Sequence, residues 1–164
     1  MASLTDNAND ASKQPPQRTR VFISYSRKDK RYLDELHTQL KFYERQHLID
    51  FWDDTKIRPG ARWREELNQA LQSARVGVLL VSADFLDSDF INEYELPPLL
   101  EAAKNEGTKI ISVMLKPCAY KYTELAEIQI ANDPSRPLNS ISKAQREKIW
   151  YDVAEFIKKS LEDA

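Results

Sequence analysis

The sequence predicts an α/β protein built on a doubly wound, five-stranded parallel sheet with helices on both faces. Three observations carry that expectation. Apolar, β-rich runs alternate with stretches of helical periodicity in the order βαβαβαβ(β)α. One run, "VGVLLVS" at residues 76 to 82, is apolar at nearly every position, the pattern of a strand covered on both faces. The 164 residues suit a single domain with room for a proper core.

Residues 1–18 are polar and contain two prolines. They bury too little apolar surface to offset their ordering entropy and read as a flexible tail. Residues 19–162 read as one folded domain. "RVFISYS", 20 to 26, is the first strand. Leu33, Leu36, Leu40 and Tyr43 then recur at spacings of three and four, an amphipathic helix. "LIDFW", 48 to 52, is a short second strand. "DDTKIRPGARW" follows as a polar loop with Pro59-Gly60 as its turn. Trp63, Leu67, Ala70, Leu71 and Ala74 mark a second helix ahead of the 76–82 strand. A third helical region closes at Gly107, and "KIISVML", 109 to 115, is the fourth strand. "LAEIQIA", 125 to 131, supplies a short fifth. Ser142 with Gln145 resembles a capping box opening a last helix, whose buried stripe includes Trp150, Val153 and Ile157.

Composition excludes several function classes. A net charge of −2 gives no bias towards nucleic acid or anionic lipid. No apolar run approaches the roughly 20 residues that span a bilayer. The N-terminus lacks a signal-peptide core, so a cytoplasmic protein is expected. Gly60, Gly77 and Gly107 are far apart, so there is neither a P-loop nor a dinucleotide-binding fingerprint. One cysteine, Cys118, and two histidines ten residues apart do not make a zinc site.

In open parallel sheets, ligands bind outside the carboxyl ends of the strands. At the first strand end, "SYSRKD" offers hydroxyls and two cations suited to a phosphorylated ligand. It can equally be a helix start, with Ser26 as N-cap and Asp29 near the positive end of the dipole. At the second, Asp50, Asp53 and Asp54 could meet a divalent metal, or could be the polar edge of the sheet; no matching acid ends the first strand, and no metal is expected. The missing acidic pair also counts against a phosphoacceptor receiver domain, although Lys116-Pro117 fits that pattern. Asp84 could cap the turn after its strand. Trp52 and Trp150 are expected in the core, and Cys118 as a loop or packing residue.

The third strand end runs into "SDFINEYELPP", residues 88 to 98. On a regular helix Glu93 and Glu95 would point about 200° apart, so they cannot act as a pair of carboxylates. Pro97 and Pro98 lack N–H groups, so the carbonyls of Glu93 and Tyr94 lose their usual helical partners. The helix is kinked there or restarts at Pro97.

"RVFISYSRKD", "DFWDDTKIRPGARW" and "VLLVSADFLDSDFINEYELPPLL", in this order and spacing, resemble a TIR (Toll/interleukin-1 receptor) domain of the form common in bacteria. The resemblance covers roughly residues 19 to 160 and implies a five-stranded parallel sheet. It also implies cleavage of NAD+ at the nicotinamide–ribose bond, giving nicotinamide and ADP-ribose or cyclic ADP-ribose, in self-associating proteins of bacterial defence signalling. NAD+ is then substrate rather than resident cofactor. The family's glutamate falls on Glu95, which precedes Leu96 as the family's Glu-Leu does, with Glu93 as the fallback. Phe90 and Ile91 stand where the family often has Trp and Cys. By the same resemblance Tyr25, Ser26 and Arg27 would line the substrate pocket, joined by Lys56 and Trp63. A single carboxylate can suffice, because the nicotinamide of NAD+ is already cationic and leaves without a general acid. The other reading is a non-catalytic TIR–TIR adaptor. Its partners would be other TIR domains, without nucleic acid or membrane.

Overall fold

The structure, a computed structural model, describes residues 17–163. The tail expected over residues 1–18 therefore lies almost wholly outside the described residues. Arg18, placed in that tail, is tied to the domain: its guanidinium donates to the carbonyls of Leu71 and Ala74.

Five parallel strands form one sheet in the order β2-β1-β3-β4-β5. They are β1 (Arg20–Ser24), β2 (Phe51–Trp52), β3 (Ala74–Val81), β4 (Lys109–Met114) and β5 (Gln129–Ile130). The helices are α1 (Lys30–Arg45), α2 (Trp63–Gln72), the short α3 (Ala83–Leu86), α4 (Leu96–Asn105) and α5 (Lys143–Glu162). The chain winds outwards in both directions from β1 and β3, so the order reverses between these two central strands. That is where a doubly wound sheet opens a crevice.

Side chains alternate across each strand and feed two cores. Val21 and Ile23 of β1, with Val76, Val78 and Leu80 of β3, pack against Leu33, Leu36 and Leu40 of α1 and Val153 and Ile157 of α5. Phe22, Leu79 and Val81 face the opposite side, towards Leu67 of α2, Leu99 of α4 and Ile91 in the turn before α4. Trp150 belongs to the first core and Trp52 to the second, where Trp52 stacks on Phe22 at 5.2 Å. Glu35 joins α1 to α5 by accepting from Arg146 Nε and Trp150 Nε1, each at 3.0 Å. At the start of α5, Ser142 Oγ accepts from the Gln145 N–H and Gln145 Oε1 accepts from the Ser142 N–H. A capping arrangement of this kind is worth about 1 kcal/mol.

Several boundaries differ from expectation. Ala74 opens β3 rather than closing α2, because Ser73 ends the helix and Ala74 is fully buried in ladder register with Arg20. Only two residues of the 48–52 run pair with β1; Leu48 is half exposed and Asp50 reaches out to Arg20. Much of 125–131 is a 3-10 turn, Glu124–Glu127, before the two paired residues of β5. Ser82, not Asp84, caps α3: its hydroxyl accepts from the Phe85 N–H at 3.1 Å, and Asp84 instead pairs with Lys28. Among the described residues no helix is long and apolar enough to cross a membrane.

The segment before α4 departs most from regular structure. Ile91–Glu95 is a π-helical turn, closed by the Leu96 N–H donating to the Ile91 carbonyl. The physical cause lies just downstream. Pro97 and Pro98 supply no donors, so an α ladder cannot be carried across the junction, and the turn widens instead. The prolines sit in the first turn of α4, where a missing N–H costs nothing. The restart falls at Leu96, one residue before the expected Pro97.

Candidate functional site

A cavity of about 950 Å3 opens at the carboxyl ends of β1 and β3. Three segments build it: the β1–α1 connection, the loop between β2 and α2, and the stretch from α3 through the π turn.

Glu95 forms the deep wall. It is 5% exposed, and its Oε1 accepts from the Ser24 hydroxyl at 2.7 Å. Strand alternation explains the meeting. Ser24 lies on the same face of β1 as Phe22, the face covered by α2 and α4. Among the described residues, Oε2 of Glu95 has no hydrogen-bond partner. Burial pushes the Glu95 carboxyl up to about 7; the Ser24 hydroxyl pulls it down and the Asp54 charge adds to the rise. Glu93, two residues earlier, is exposed and does not line the cavity. The π turn therefore points one acid inwards and the other to solvent.

Asp54 also lines the cavity, as do Asp84 and Asp87. Asp54 accepts from the Tyr25 hydroxyl at 2.6 Å and is approached by Arg27 Nε at 3.5 Å. Burial, then the bond to Asp54 and the negative charges of Asp54 and Asp53, push the Tyr25 phenol far above its usual range. Tyr25 is thus a fixed donor rather than a base. Ser26 lines the cavity and is also an N-cap, accepting from the Lys28 N–H at 3.4 Å. The helix-start reading of "SYSRKD" holds, with Ser26 capping a 3-10 turn at Arg27–Asp29, and the same stretch also lines the cavity. Asp29 is fully buried beneath it, where it accepts from Ser82 Oγ at 2.5 Å and Lys116 Nζ at 2.7 Å.

Trp63 and Phe90 form an aromatic wall at the mouth, with ring centroids 5.7 Å apart; Tyr94 stands edge-on to Trp63 at 6.1 Å. Trp63 and Phe90 remain 44% and 40% exposed, which leaves ring surface free to stack on a planar ligand. At the loop's tip Gly60 has φ +78°, the left-handed conformation its turn requires.

Tyr25, Ser26, Arg27, Trp63 and Glu95 thus come together around one cavity. Lys56 does not join them. It donates to Glu44 of α1 at 2.6 Å and lies over the Phe51 ring at 3.9 Å. The three aspartates of the second strand end diverge to separate partners: Asp50 to Arg20, Asp53 to His37 and Thr55, Asp54 to Tyr25. Among the described residues no group of three His, Cys, Asp or Glu is placed to hold a metal. Cys118 packs partly buried against the second core, and burial pushes its thiol up, away from nucleophilic use. Sequence reasoning offered Ser24 as a ligand donor and Asp54 as a metal ligand rather than as the partners of Glu95 and Tyr25, and gave no role at the site to Phe90 or Tyr94. Alternation along β1 could have placed Ser24 on the same face as Phe22, but nothing local linked it to the glutamate, or Asp54 to Tyr25.

The family model for the TIR domain matches residues 21–149. The chain belongs to the TIR domain family. Among solved structures it is similar to the TIR domain of the Toll-related receptor TRR-2 from Hydra magnipapillata, with a TM-score of 0.56 and 18% identity over 84% of this chain and 97% of that one. That likeness establishes the shared fold. A curated relative is the uncharacterized protein y4lF of Sinorhizobium fredii, 27% identical over 135 residues. The match takes in 82% of this chain but only 39% of that protein's length. A TIR domain is a signalling module, and TIR domains associate with other TIR domains.

Proposed function

We propose that this TIR domain cleaves the nicotinamide–ribose bond of NAD+, with Glu95 as the catalytic residue. The observation that carries the reading is a nearly buried carboxylate in the cavity lining, held by Ser24 on one oxygen and without a hydrogen-bond partner on the other among the described residues. When the ribose C1′–N bond breaks, the bonding pair leaves with nicotinamide, which departs neutral. Positive charge grows on the ribose, and a fixed carboxylate beside it stabilises that charge most where water is scarce. Attack at C1′ by water yields ADP-ribose and releases one proton; attack by the adenine ring yields the cyclic product. Trp63 and Phe90 offer a stacking surface for a planar ring, and Arg27 at the rim suits the pyrophosphate. On this reading NAD+ is a substrate, no resident cofactor is needed, and the protein works in the cytoplasm, in defence signalling. Purified protein incubated with NAD+, alone and under crowding, should release nicotinamide, and Glu95→Ala should not. A Glu95→Ala variant with full activity, or a dead Glu93→Ala, would sink the assignment.

One observation favours a second reading, the TIR–TIR adaptor. Arg58, Pro59, Gly60 and Arg62 are all exposed at the tip of the β2–α2 loop. A head-to-tail contact made by such a tip is open-ended and builds filaments. The readings are compatible where assembly completes the cavity. Partner binding without turnover in any assembly state would leave the adaptor alone.

A further inference from the structure

The loop that forms one side of the cavity is rooted in α1. Asp53, its first residue after β2, is fully buried and bears no side-chain contact with the cavity. Its Oδ2 accepts from His37 Nε2 at 2.6 Å, and its Oδ1 accepts from the Thr55 backbone N–H at 3.0 Å and from the Thr55 hydroxyl. Burial alone would push the Asp53 carboxyl up, but the bonds from His37 and Thr55 outweigh it and hold it below the usual range. The next residue, Asp54, turns the other way to Tyr25, so adjacent carboxylates pin the loop's root from two sides. Lys56 then reaches back to Glu44. His37 and Glu44 are seven residues apart, two turns, and so share one face of α1. Phe51 lies between the ties, 5.2 Å from the His37 ring and 3.9 Å from Lys56 Nζ. Beyond this root the loop contributes Ile57 to Ala61 and then Trp63 to the cavity.

We propose that the His37–Asp53 bond, seconded by Glu44–Lys56, is a latch by which α1 positions the 57–63 loop over Glu95. His37 and Lys56 are on this view positioning residues: neither touches the ligand, and both set where the ligand's second wall stands. The proposal takes the cavity as the NAD+ site, as above, but the latch itself can be read without any substrate.

The test uses limited trypsin digestion of the folded protein, following cleavage after Arg62, alongside steady-state NAD+ kinetics and circular dichroism to verify folding. His37→Phe keeps the ring and removes the donor; His37→Gln restores a donor. For His37→Phe the cleavage rate should rise about fivefold or more, and the KM for NAD+ by a similar factor, with kcat within about twofold. His37→Gln should recover most of both. Where His37→Phe does not fold, Lys56→Met decides, since it breaks the exposed tie alone and should raise cleavage about two- to threefold. Unchanged cleavage in a folded His37→Phe or in Lys56→Met overturns the latch, as does a Gln variant no better than Phe. If wild type shows no NAD+ turnover, the catalytic reading fails separately and the digestion still decides the latch.

Discussion

Ser24 Oγ donates to Glu95 Oε1 at 2.7 Å, so the last residue of β1 holds the last residue of the π turn. This is the bond that favours the ionised glutamate against its burial. Removing it with Ser24→Ala should raise the Glu95 pKa by about one unit, the usual worth of a hydrogen bond to a charged group. In a pH–rate profile the acid limb of kcat/KM should move to higher pH, while the alkaline side stays put. A profile that only scales down, without moving, would show that Ser24 matters for shape alone.

Glu95 also predicts a pH dependence of both activity and stability. Its carboxyl is pushed up to about 7. If the ionised form stabilises the growing positive charge, kcat/KM should climb about tenfold per pH unit below that value and level off above it. The stability effect has the opposite sense. A folded-state pKa above the unfolded value favours the protonated form, so the penalty is absent below about pH 4 and grows to its full size as pH rises past 7. Glu95→Gln should therefore stabilise the domain by about 1–3 kcal/mol at pH 8, with the gain vanishing near pH 4 in denaturant titrations.

The same substitution should lower kcat by about a hundredfold or more, the scale for losing a preorganised electrostatic partner. Glu93→Gln should change kcat less than about twofold and leave stability within about 0.5 kcal/mol, because Glu93 is exposed and unbound. Paired nicotinamide-release assays check both.

Trp63→Ala should raise KM for NAD+ by about three- to tenfold, from the 0.5–1.5 kcal/mol typical of an aromatic pair. Since Trp63 is 44% exposed, thermal unfolding should barely move. A large loss of stability with unchanged KM would make it a packing residue.

Away from the site, Glu35→Ala should cost about 1–3 kcal/mol, because it strands the donors of Arg146 and Trp150 between α1 and α5. Burial tends to raise the Glu35 carboxyl, but the bonds from Arg146 and Trp150 bring it below its usual value. Its contribution is therefore present above the unfolded pKa and fades as pH falls through the folded one. Wild type and variant should converge in stability in acid, which urea titrations at several pH values would measure.

The sheet and its helices were legible because their signals are local and periodic. β3 is apolar at almost every position, and α5 carries both a capping box and a regular buried stripe. The edge strands were not, since two paired residues leave no period to read. At the site, the cavity-facing Tyr25, Ser26, Arg27, Trp63 and Glu95 could be named from motifs that sit at strand ends. What pairs with them could not. The Ser24–Glu95 bond spans 71 residues and the Tyr25–Asp54 bond 29, distances over which no spacing rule operates. Lys56 shows the converse: a cation adjacent to a binding loop looks available until helix α1 supplies Glu44. The proline pair signalled an irregular turn, yet its π form depends on which carbonyl the Leu96 N–H selects.

The brevity of β2 and β5 has a consequence for how copies of the domain can meet. Each outer strand offers only two residues of ladder, Phe51–Trp52 on one side and Gln129–Ile130 on the other. A neighbouring chain would find too few free backbone donors and acceptors there to extend the sheet, which is how natural proteins avoid fusing edge to edge. Any filament of this domain would have to be cemented by side chains on helices and loops. Such a contact can be tuned by single substitutions and reversed, unlike continuous cross-strand bonding, and reversibility suits a signal that has to be switched off.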